Sequence, residues 1–395
     1  NLYYTKSDYG SYNVTPYITN VYGGKLTFGY PISDVERIGF DIGLRSLEVT
    51  PTGYSSQEIQ RTPRFIDGYV YTDTDALNSY ISLEDLDSIK ERLNIGSDYL
   101  SGSYKLNPVN ESLLSEKGFL DKYGDTFNDA QMSVFWFKST LNRGVLPDRG
   151  ASQRISAEVT LPVGDLEYFK LDYDAQFFKP LTRGLTLRMH GRLGFAETYG
   201  KTDRLPFFEN FYGGGFGSVR GFERNSLGPR STVQETAEQV YTAWDDMNGD
   251  GKQQESELSN PALILCTDST RCGNLGKIIT TRPFDDYGRT RGAFGGNVII
   301  EGGAEILFPL PFIKDQRSLQ STIFLDAGNV FDTHCGSQQR NCYAVSADQI
   351  KASFGVGLTW ISSFGPMTFA LAKPISKENQ YDRQEVFQFS LGQTF

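Results

Sequence analysis

Apolar and polar residues alternate one by one in many segments of the chain. In residues 385–395 one parity is apolar, with Phe387, Phe389, Leu391 and Phe395, and the other is small or polar. Successive side chains of a β-strand point to opposite faces, so the segment predicts a strand with one apolar face. An outer-membrane strand needs about 9–11 residues, apolar toward lipid and polar toward the lumen. The segment has that length and that pattern.

The same alternation predicts twelve strands along the chain. They cover residues 1–8, 22–31, 35–48, 129–141, 151–163, 169–180, 184–197, 296–308, 318–328, 350–361, 366–374 and 385–395. Alternation alone does not decide which face is outside, because a soluble barrel buries its apolar face and a membrane barrel exposes it. That choice depends on the connections and on the composition.

The connections differ in length between the two ends of the predicted strands. The short ones are residues 31–34, 142–150, 181–183, 309–317 and 362–365. The opposite set contains the long polar segments 50–128, 198–295 and 329–349, together with the short segment 164–168. Short turns at one end and long loops at the other are typical of outer-membrane barrels. The sequence therefore predicts an all-β fold, a transmembrane antiparallel β-barrel in the bacterial outer membrane, with its long loops extracellular.

The composition favours a membrane barrel over a soluble domain. Only 38% of the residues are hydrophobic, below the roughly 45–50% of globular proteins, yet 13% are aromatic, with 28 Phe and 22 Tyr. Aromatic residues supply the interfacial girdles of such barrels. No apolar run approaches the ~20 residues of a membrane helix, so strands must do the crossing. The net charge of −10 argues against nucleic acid as a partner.

The four cysteines form two local couples, Cys266 with Cys272 and Cys335 with Cys342. Both couples lie in polar, loop-like sequence, and neither has the spacing of a zinc site. Local couples in loops favour two disulfides in an oxidising compartment, here the periplasm or the cell surface. Crossed pairing, or four free thiols in a cytosolic protein, is the alternative.

Residues 246–257 match the calcium loop of an EF-hand, D-x-[DN]-x-[DN]-G-x5-E. The ligands would be side-chain oxygens of Asp246, Asn248, Asp250 and Glu257, the carbonyl of Lys252, and Gln254 through water. Gln253 departs from the pattern, since EF-hands usually carry an aliphatic residue there. The alternative is an acidic loop that matches by coincidence. Ca²⁺ is the one cofactor suggested by the sequence, and the predicted barrel requires none.

A glycine-rich run, residues 212–222, lies in the long loop 198–295 and ends in Val219, Arg220, Gly221 and Phe222. Glycines allow the tight backbone approach that a loop folded back into a lumen needs. Such a run can instead cradle phosphate, but no Gly-Lys-Ser/Thr sequence follows it. A solvated surface arginine is the other alternative for Arg220.

This run, preceded by residues 207–214 (FFENFYGG), resembles the sixth loop of the BamA family, whose barrel inserts outer-membrane proteins. Residues 301–312, 324–332, 363–366 and 387–395 resemble the last strands of that family. The resemblance covers essentially the whole chain, but only the barrel. The family barrel has sixteen strands, so we expect its first four strands and its periplasmic repeat domains to be absent from residues 1–395.

The resemblance implies that Arg220 pairs with Glu305 and Asp326. Strand parity independently directs both carboxylates into the lumen, although ordinary pore-lining charges would face the same way. The resemblance also implies a weak lateral seam at the last strand, which doubles as a C-terminal recognition signal. Its residues are Phe387, Phe389, Leu391, Gly392 and Phe395.

The function implied by the resemblance is that of an insertase, which folds and inserts β-barrel proteins without covalent chemistry. Its implied partners are unfolded outer-membrane proteins, periplasmic lipoproteins of the assembly complex, outer-membrane lipids and lipopolysaccharide. A two-partner secretion-type translocation pore or a passive porin is the alternative. An enzyme is disfavoured, because the two histidines, His190 and His334, lie in no nucleophile or metal motif.

Overall fold

The computed structural model describes residues 1–12, 14–52, 55–60, 118–232, 292–310, 318–336, 339, 341–362, 365–375 and 382–391, and the backbone of 235–243, 263–264 and 275–283. The chain divides into two compact units. The first unit comprises Asn1–Ser55, Lys122–Thr232 and Arg291–Phe395, and the second comprises Ser56–Asp121 and Val233–Thr290. Short helical turns occur at Tyr9–Tyr12, Phe119–Tyr123, Phe207–Glu209 and Ala347–Gln349.

The first unit contains one antiparallel sheet of twelve strands. They are β1 (Leu2–Asp8), β2 (Tyr17–Ser33), β3 (Glu36–Pro51), β4 (Thr126–Ser139), β5 (Gly150–Thr160), β6 (Tyr168–Thr182), β7 (Leu185–Thr198), β11 (Val298–Phe308), β12 (Leu319–Phe331), β13 (Lys351–Ser362), β14 (Gly365–Pro374) and β15 (Phe387–Leu391). Each strand pairs with the next one in this series, so that β7 pairs directly with β11. The predicted all-β architecture and its twelve strands are confirmed. Among the described residues no ladder joins β1 to β15, so these two strands are the edges of the sheet.

At the end of the sheet that has the short connections, prolines interrupt the strand ladders and tight turns reverse the chain. The register shifts between Pro31 and Ser33 and between Pro180 and Thr182, because proline has no N–H for the ladder. Two-residue turns then reverse the chain at 34–35 and 183–184. Gly184 has φ +88°, a conformation that glycine adopts without the steric cost of a side chain.

The second unit contains strands within the connection 198–295, which the sequence predicts as a long extracellular loop. Three strands, β8 (Glu235–Ala243), β9 (Leu263–Ile264) and β10 (Leu275–Pro283), form a separate antiparallel sheet in the order β10-β8-β9. Their polar sequence has no sustained alternation, and β-branched residues such as Ile278, Ile279 and Thr280 carry the strand preference instead. The prediction also placed the start of β2 at residue 22, whereas the strand begins at Tyr17.

The two faces of the twelve-stranded sheet have opposite character. Side chains on the apolar parity are exposed, and Leu193, Ile323, Val356 and Phe389 are each between 50% and 53% exposed. The other parity carries buried polar groups such as Thr359, Ser353 and Asp326. A soluble barrel has the reverse arrangement, so this sheet presents its apolar surface outward. Within the described residues, no helix has both the length and the apolar character needed to span a bilayer.

Candidate functional site

Residues 199–232, which follow β7, fold against the polar face of the sheet. Phe211 bridges to Gly296 and packs with Ile299 and Val330. Phe216 packs against Phe324, Ala370 and Ala372. Much of the apolar core inside the sheet therefore comes from this segment, which we call the inner loop.

Gly221 lies where the inner loop approaches the sheet most closely. Its φ is +89°, and a Cβ atom built on it would lie 3.1 Å from the Cβ atom of Ala372 and 3.4 Å from that of Ser353. A side chain would strain both the backbone and this contact. Glycine next to Arg220 therefore lets the main chain lie against β13 and β14.

Arg220 is almost completely buried, with 2% of its surface exposed, and it binds two strand carboxylates. Its Nε donates to Asp326 Oδ2 at 2.6 Å, and its second guanidinium nitrogen donates to Asp326 Oδ1 at 2.8 Å. The same nitrogen donates to Glu305 Oε1 at 2.7 Å. Two parallel bonds to one carboxylate form the bidentate geometry that makes an arginine pair directional as well as strong. We call Arg220, Glu305 and Asp326 the arginine anchor.

The main chain and an aromatic ring support the arginine anchor. The backbone N–H of Arg220 donates to Asp326 at 3.2 Å, and the Ser353 hydroxyl donates to the Arg220 carbonyl. The guanidinium carbon lies 3.5 Å from the centre of the Phe324 ring, a cation–π distance. Strands β11, β12 and β13 therefore hold one residue of the inner loop together.

The surroundings of Glu305 balance the charges of the arginine anchor. Arg188 Nη1 donates to Glu305 Oε1 at 2.8 Å, and the Thr322 hydroxyl donates to Oε2 at 3.3 Å. Two guanidiniums thus face two carboxylates, which is the pairing that buried charges need. His190, Glu305 and Asp326 have ligand atoms within 4.8 Å of one another, but Arg220 already binds both carboxylates. The cluster can hold the loop, and the guanidinium takes the place that a cation would occupy.

A second ion from the same loop binds the sheet at different strands. Glu209, at the end of the helical turn Phe207–Glu209, accepts from Arg45 Nη1 at 2.6 Å and from Lys170 Nζ at 3.0 Å. Lys170 also donates to the Glu209 carbonyl at 2.9 Å. Burial by itself raises the pKa of Glu209, but the charges of Lys170 and Arg45 more than offset burial and lower it to about 2. We call Glu209, Arg45 and Lys170 the glutamate anchor.

Aromatic contacts surround the glutamate anchor. Phe207 meets Tyr17 of β2 edge to face at 4.8 Å, and Phe208 lies 5.7 Å from Phe127 of β4. Lys170 Nζ lies 5.2 Å from the centre of the Phe211 ring. Glu209 was not predicted as a site residue, because its partners lie on β3 and β6, far away in the chain. The signal in the sequence was an acidic residue within an aromatic run, together with the basic residues Arg45 and Lys170 on the inward faces of their strands.

The remaining predicted site residues are only partly described. The sulfur atoms of Cys335 and Cys342 lie 2.01 Å apart, which is the distance of a disulfide bond. Phe387, Phe389 and Leu391 lie on the exposed face of β15. Outside the described residues lie the predicted calcium ligands Asp246, Asn248, Asp250, Lys252, Gln254 and Glu257, the couple Cys266 and Cys272, and Gly392 and Phe395.

Known proteins resemble this chain in sequence and in fold. It is 30% identical over 329 residues to "Outer membrane protein assembly factor BamA" of Neisseria meningitidis serogroup B, which covers 77% of this chain and 34% of that protein. The crystal structure of BamA from Haemophilus ducreyi lacking POTRA domains 1–3 matches with a TM-score of 0.60 and 22% identity, over 98% of this chain and 57% of that one. The match to CdiB from Acinetobacter baumannii covers 95% of this chain and 42% of that chain, at 11% identity. Its TM-score of 0.42 is too low to support an argument.

These matches indicate no catalytic family. The fold that they share, an outer-membrane barrel, is one that exposes an apolar face to lipid. The chain spans 34% of the length of the curated Neisseria relative. The Omp85 superfamily domain matches residues 1–395, and the chain therefore belongs to the Omp85 superfamily of outer-membrane β-barrel proteins.

Proposed function

We propose that this chain forms part of the barrel of an outer-membrane protein assembly factor. It would fold and insert other β-barrel proteins by offering a strand edge as a template, without covalent chemistry. The 30% identity to the Neisseria assembly factor supports this function. Its substrates would be unfolded outer-membrane proteins, and its partners the periplasmic lipoproteins of the assembly complex, outer-membrane lipids and lipopolysaccharide. The long loops would face the cell exterior.

The edge strand β15 supports the template mechanism. Among the described residues, Phe387–Leu391 of β15 pair with β14, and β15 has no second neighbour in the sheet. Unpaired backbone groups in lipid cost several kcal/mol each, so an edge strand can gain free energy by pairing with an incoming strand. Gly392, which follows β15 in the sequence, has no side chain that could lock the seam.

The arginine anchor is the observation that carries the proposal. It holds the inner loop across β11, β12 and β13, which lie on the β15 side of the sheet. A loop pays conformational entropy to fold inward, and buried charge-assisted bonds offset that cost. A loop held in this way supports the strands next to the edge while the edge pairs with substrate.

The test is an insertion assay with the full-length protein and its lipoprotein partners in liposomes. Arg220→Ala should slow the folding of an added unfolded barrel severalfold, as measured by its protease protection. The matched control is Arg154→Ala, since Arg154 also faces the lumen but lies 4.9 Å from the ring of Phe135, a strand residue. Equal rates for wild type and Arg220→Ala would contradict the proposal.

Conductance separates this function from a translocation pore or a passive porin. An inner loop held at two anchors fills space in the lumen, so planar bilayers with the full-length protein should show low and intermittent conductance. A large, constantly open pore would favour the transport alternative.

A further inference from the structure

The inner loop also pairs with the segment that leads into the edge strand. The Glu223 N–H donates to the Arg383 carbonyl, and the Glu385 N–H donates to the Gly221 carbonyl, each at 2.9 Å. Phe222 and Gln384 form the antiparallel bridge between these two bonds. Residues 221–223 therefore act as a short inner strand beside residues 383–385.

Gln388 extends this pairing into β15 itself. Its side chain is buried and points inward, while its neighbours Phe387 and Phe389 are exposed on the other face. The amide oxygen accepts from the Gly221 N–H at 3.2 Å, and the amide nitrogen donates to the Phe222 carbonyl at 2.7 Å. One side chain thus binds the donor and the acceptor of two consecutive loop residues.

These contacts make a bridge across the sheet. Arg220 is bound to Asp326 of β12, and the next two residues of the loop are bound to Gln388 of β15. In the sheet, β13 and β14 separate β12 from β15. Because β15 has a ladder only with β14 among the described residues, contacts from inside decide how firmly it is held.

We propose that Gln388 is a positioning residue that couples the arginine anchor to the edge strand. With the anchor formed, Gln388 holds β15 against the inner loop. Without the anchor or without the Gln388 amide, β15 loses this side-chain hold on the inner loop, keeps its ladder with β14 and opens more often. The coupling itself is a property of the barrel, and only its role in controlling the seam rests on the proposed function.

Hydrogen exchange of the full chain in lipid nanodiscs tests the coupling, read on peptides that cover residues 386–391. Gln388→Met keeps the length of the side chain but removes its hydrogen bonds. We expect exchange to rise about tenfold or more, since each buried hydrogen bond contributes to the local opening equilibrium. Arg220→Ala should produce a similar rise, although Arg220 itself is bound to β11, β12 and β13.

The double variant distinguishes coupling from two separate defects. In the Gln388→Met background, Arg220→Ala should add little further exchange in residues 386–391. A matched background is Lys351→Met, because Lys351 of β13 binds Asp382 at 2.5 Å and ties the same segment down without the inner loop. There, Arg220→Ala should keep its full effect. An unchanged β15 in Arg220→Ala, or an equal added effect in both backgrounds, would overturn the proposal.

The insertion assay then separates the coupling from the proposed function. If Gln388→Met opens β15 and also changes the rate of substrate folding, the coupling controls the seam. If it opens β15 while every variant leaves substrate folding unchanged, the coupling stands and the proposed function fails. If exchange is unchanged, the coupling fails whatever the insertion rate.

Discussion

The inner loop is held by two anchors of opposite polarity at different strands. In the arginine anchor the loop supplies the cation, and Glu305 and Asp326 of β11 and β12 supply the anions. In the glutamate anchor the loop supplies the anion, and Arg45 and Lys170 of β3 and β6 supply the cations. Glu305 and Asp326 repel Glu209, and Arg45 and Lys170 repel Arg220, so these charges oppose an exchange of the two loop ions between the anchors.

The two anchors differ in how much water reaches them. The side chains of Glu305 and Asp326 are 0% exposed, whereas those of Arg45 and Lys170 are 11% and 24% exposed. Arg220 binds with a planar fork, while Lys170 acts as a flexible point charge. An uncompensated charge costs more where water is excluded. We therefore expect the arginine anchor to carry more of the loop's stability than the glutamate anchor.

The largest effect is expected from Arg220→Ala. It leaves Asp326 buried without its guanidinium, and breaking a buried ion pair costs about 3–5 kcal/mol. The measurement is the free energy of unfolding in detergent micelles by urea titration, with a barrel that remains folded in the absence of urea. Arg220→Lys should restore only part of the loss, because an ammonium cannot form the bidentate pair. Full rescue by lysine would show that charge alone matters.

Val356→Arg tests whether the face opposite both anchors meets lipid. Val356 is half exposed on the apolar face of β13, and an arginine near the bilayer midplane costs roughly 2–4 kcal/mol. The measurement is the free energy of folding into lipid vesicles. A neutral effect would mean that this face does not contact the acyl chains, and the inside position assigned to the anchors would then be wrong.

Glu209→Gln should have a smaller effect than Arg220→Ala. The variant keeps the shape of the side chain but removes its charge, and hydrogen bonds to charged groups contribute about 1.5–3 kcal/mol. The same urea titration measures it. A loss as large as that of Arg220→Ala would contradict the ranking of the two anchors.

The smallest predicted effect is a pH dependence of the glutamate anchor. The pKa of Glu209 is about 2 in the folded protein, below its ordinary value of 4.5. A carboxyl group whose pKa is lowered by folding makes its full contribution to stability at pH values above its ordinary pKa. This contribution is lost as the pH falls from 4.5 toward 2. The difference in unfolding free energy between wild type and Glu209→Gln should shrink across that window. A constant difference would mean that the charge of Glu209 does not stabilise the loop.

Alternation predicted the strands of the sheet because each strand has one apolar and one polar face with a period of two. The strands β8, β9 and β10 were missed because their polar sequence lacks that period. Strand parity placed Glu305 and Asp326 inside, and the family resemblance named Arg220 as their partner; the structure brings all three together.

Glu209 and Gln388 could not be predicted in the same way. Glu209 depends on side chains from two distant strands. Gln388 binds the backbone of Gly221, which lies 167 residues before it in the sequence. The aromatic run around Glu209 marks this residue as unusual, but no local pattern identifies the partners of Glu209 or of Gln388. The calcium site and the couple of Cys266 with Cys272 stay predictions. Protection of residues 245–257 by calcium tests the first, and non-reduced peptide mapping tests the second.

A double-mutant cycle between Arg220 and Asp326 tests the central claim, that the inner loop is held inside the sheet by the arginine anchor. The free energy of unfolding is measured for wild type, Arg220→Ala, Asp326→Ala and the double variant. The bidentate pair predicts a coupling free energy well above the ~0.5 kcal/mol seen between independent sites. Additive losses would show that Arg220 and Asp326 do not hold each other, and the anchored loop would have to be abandoned.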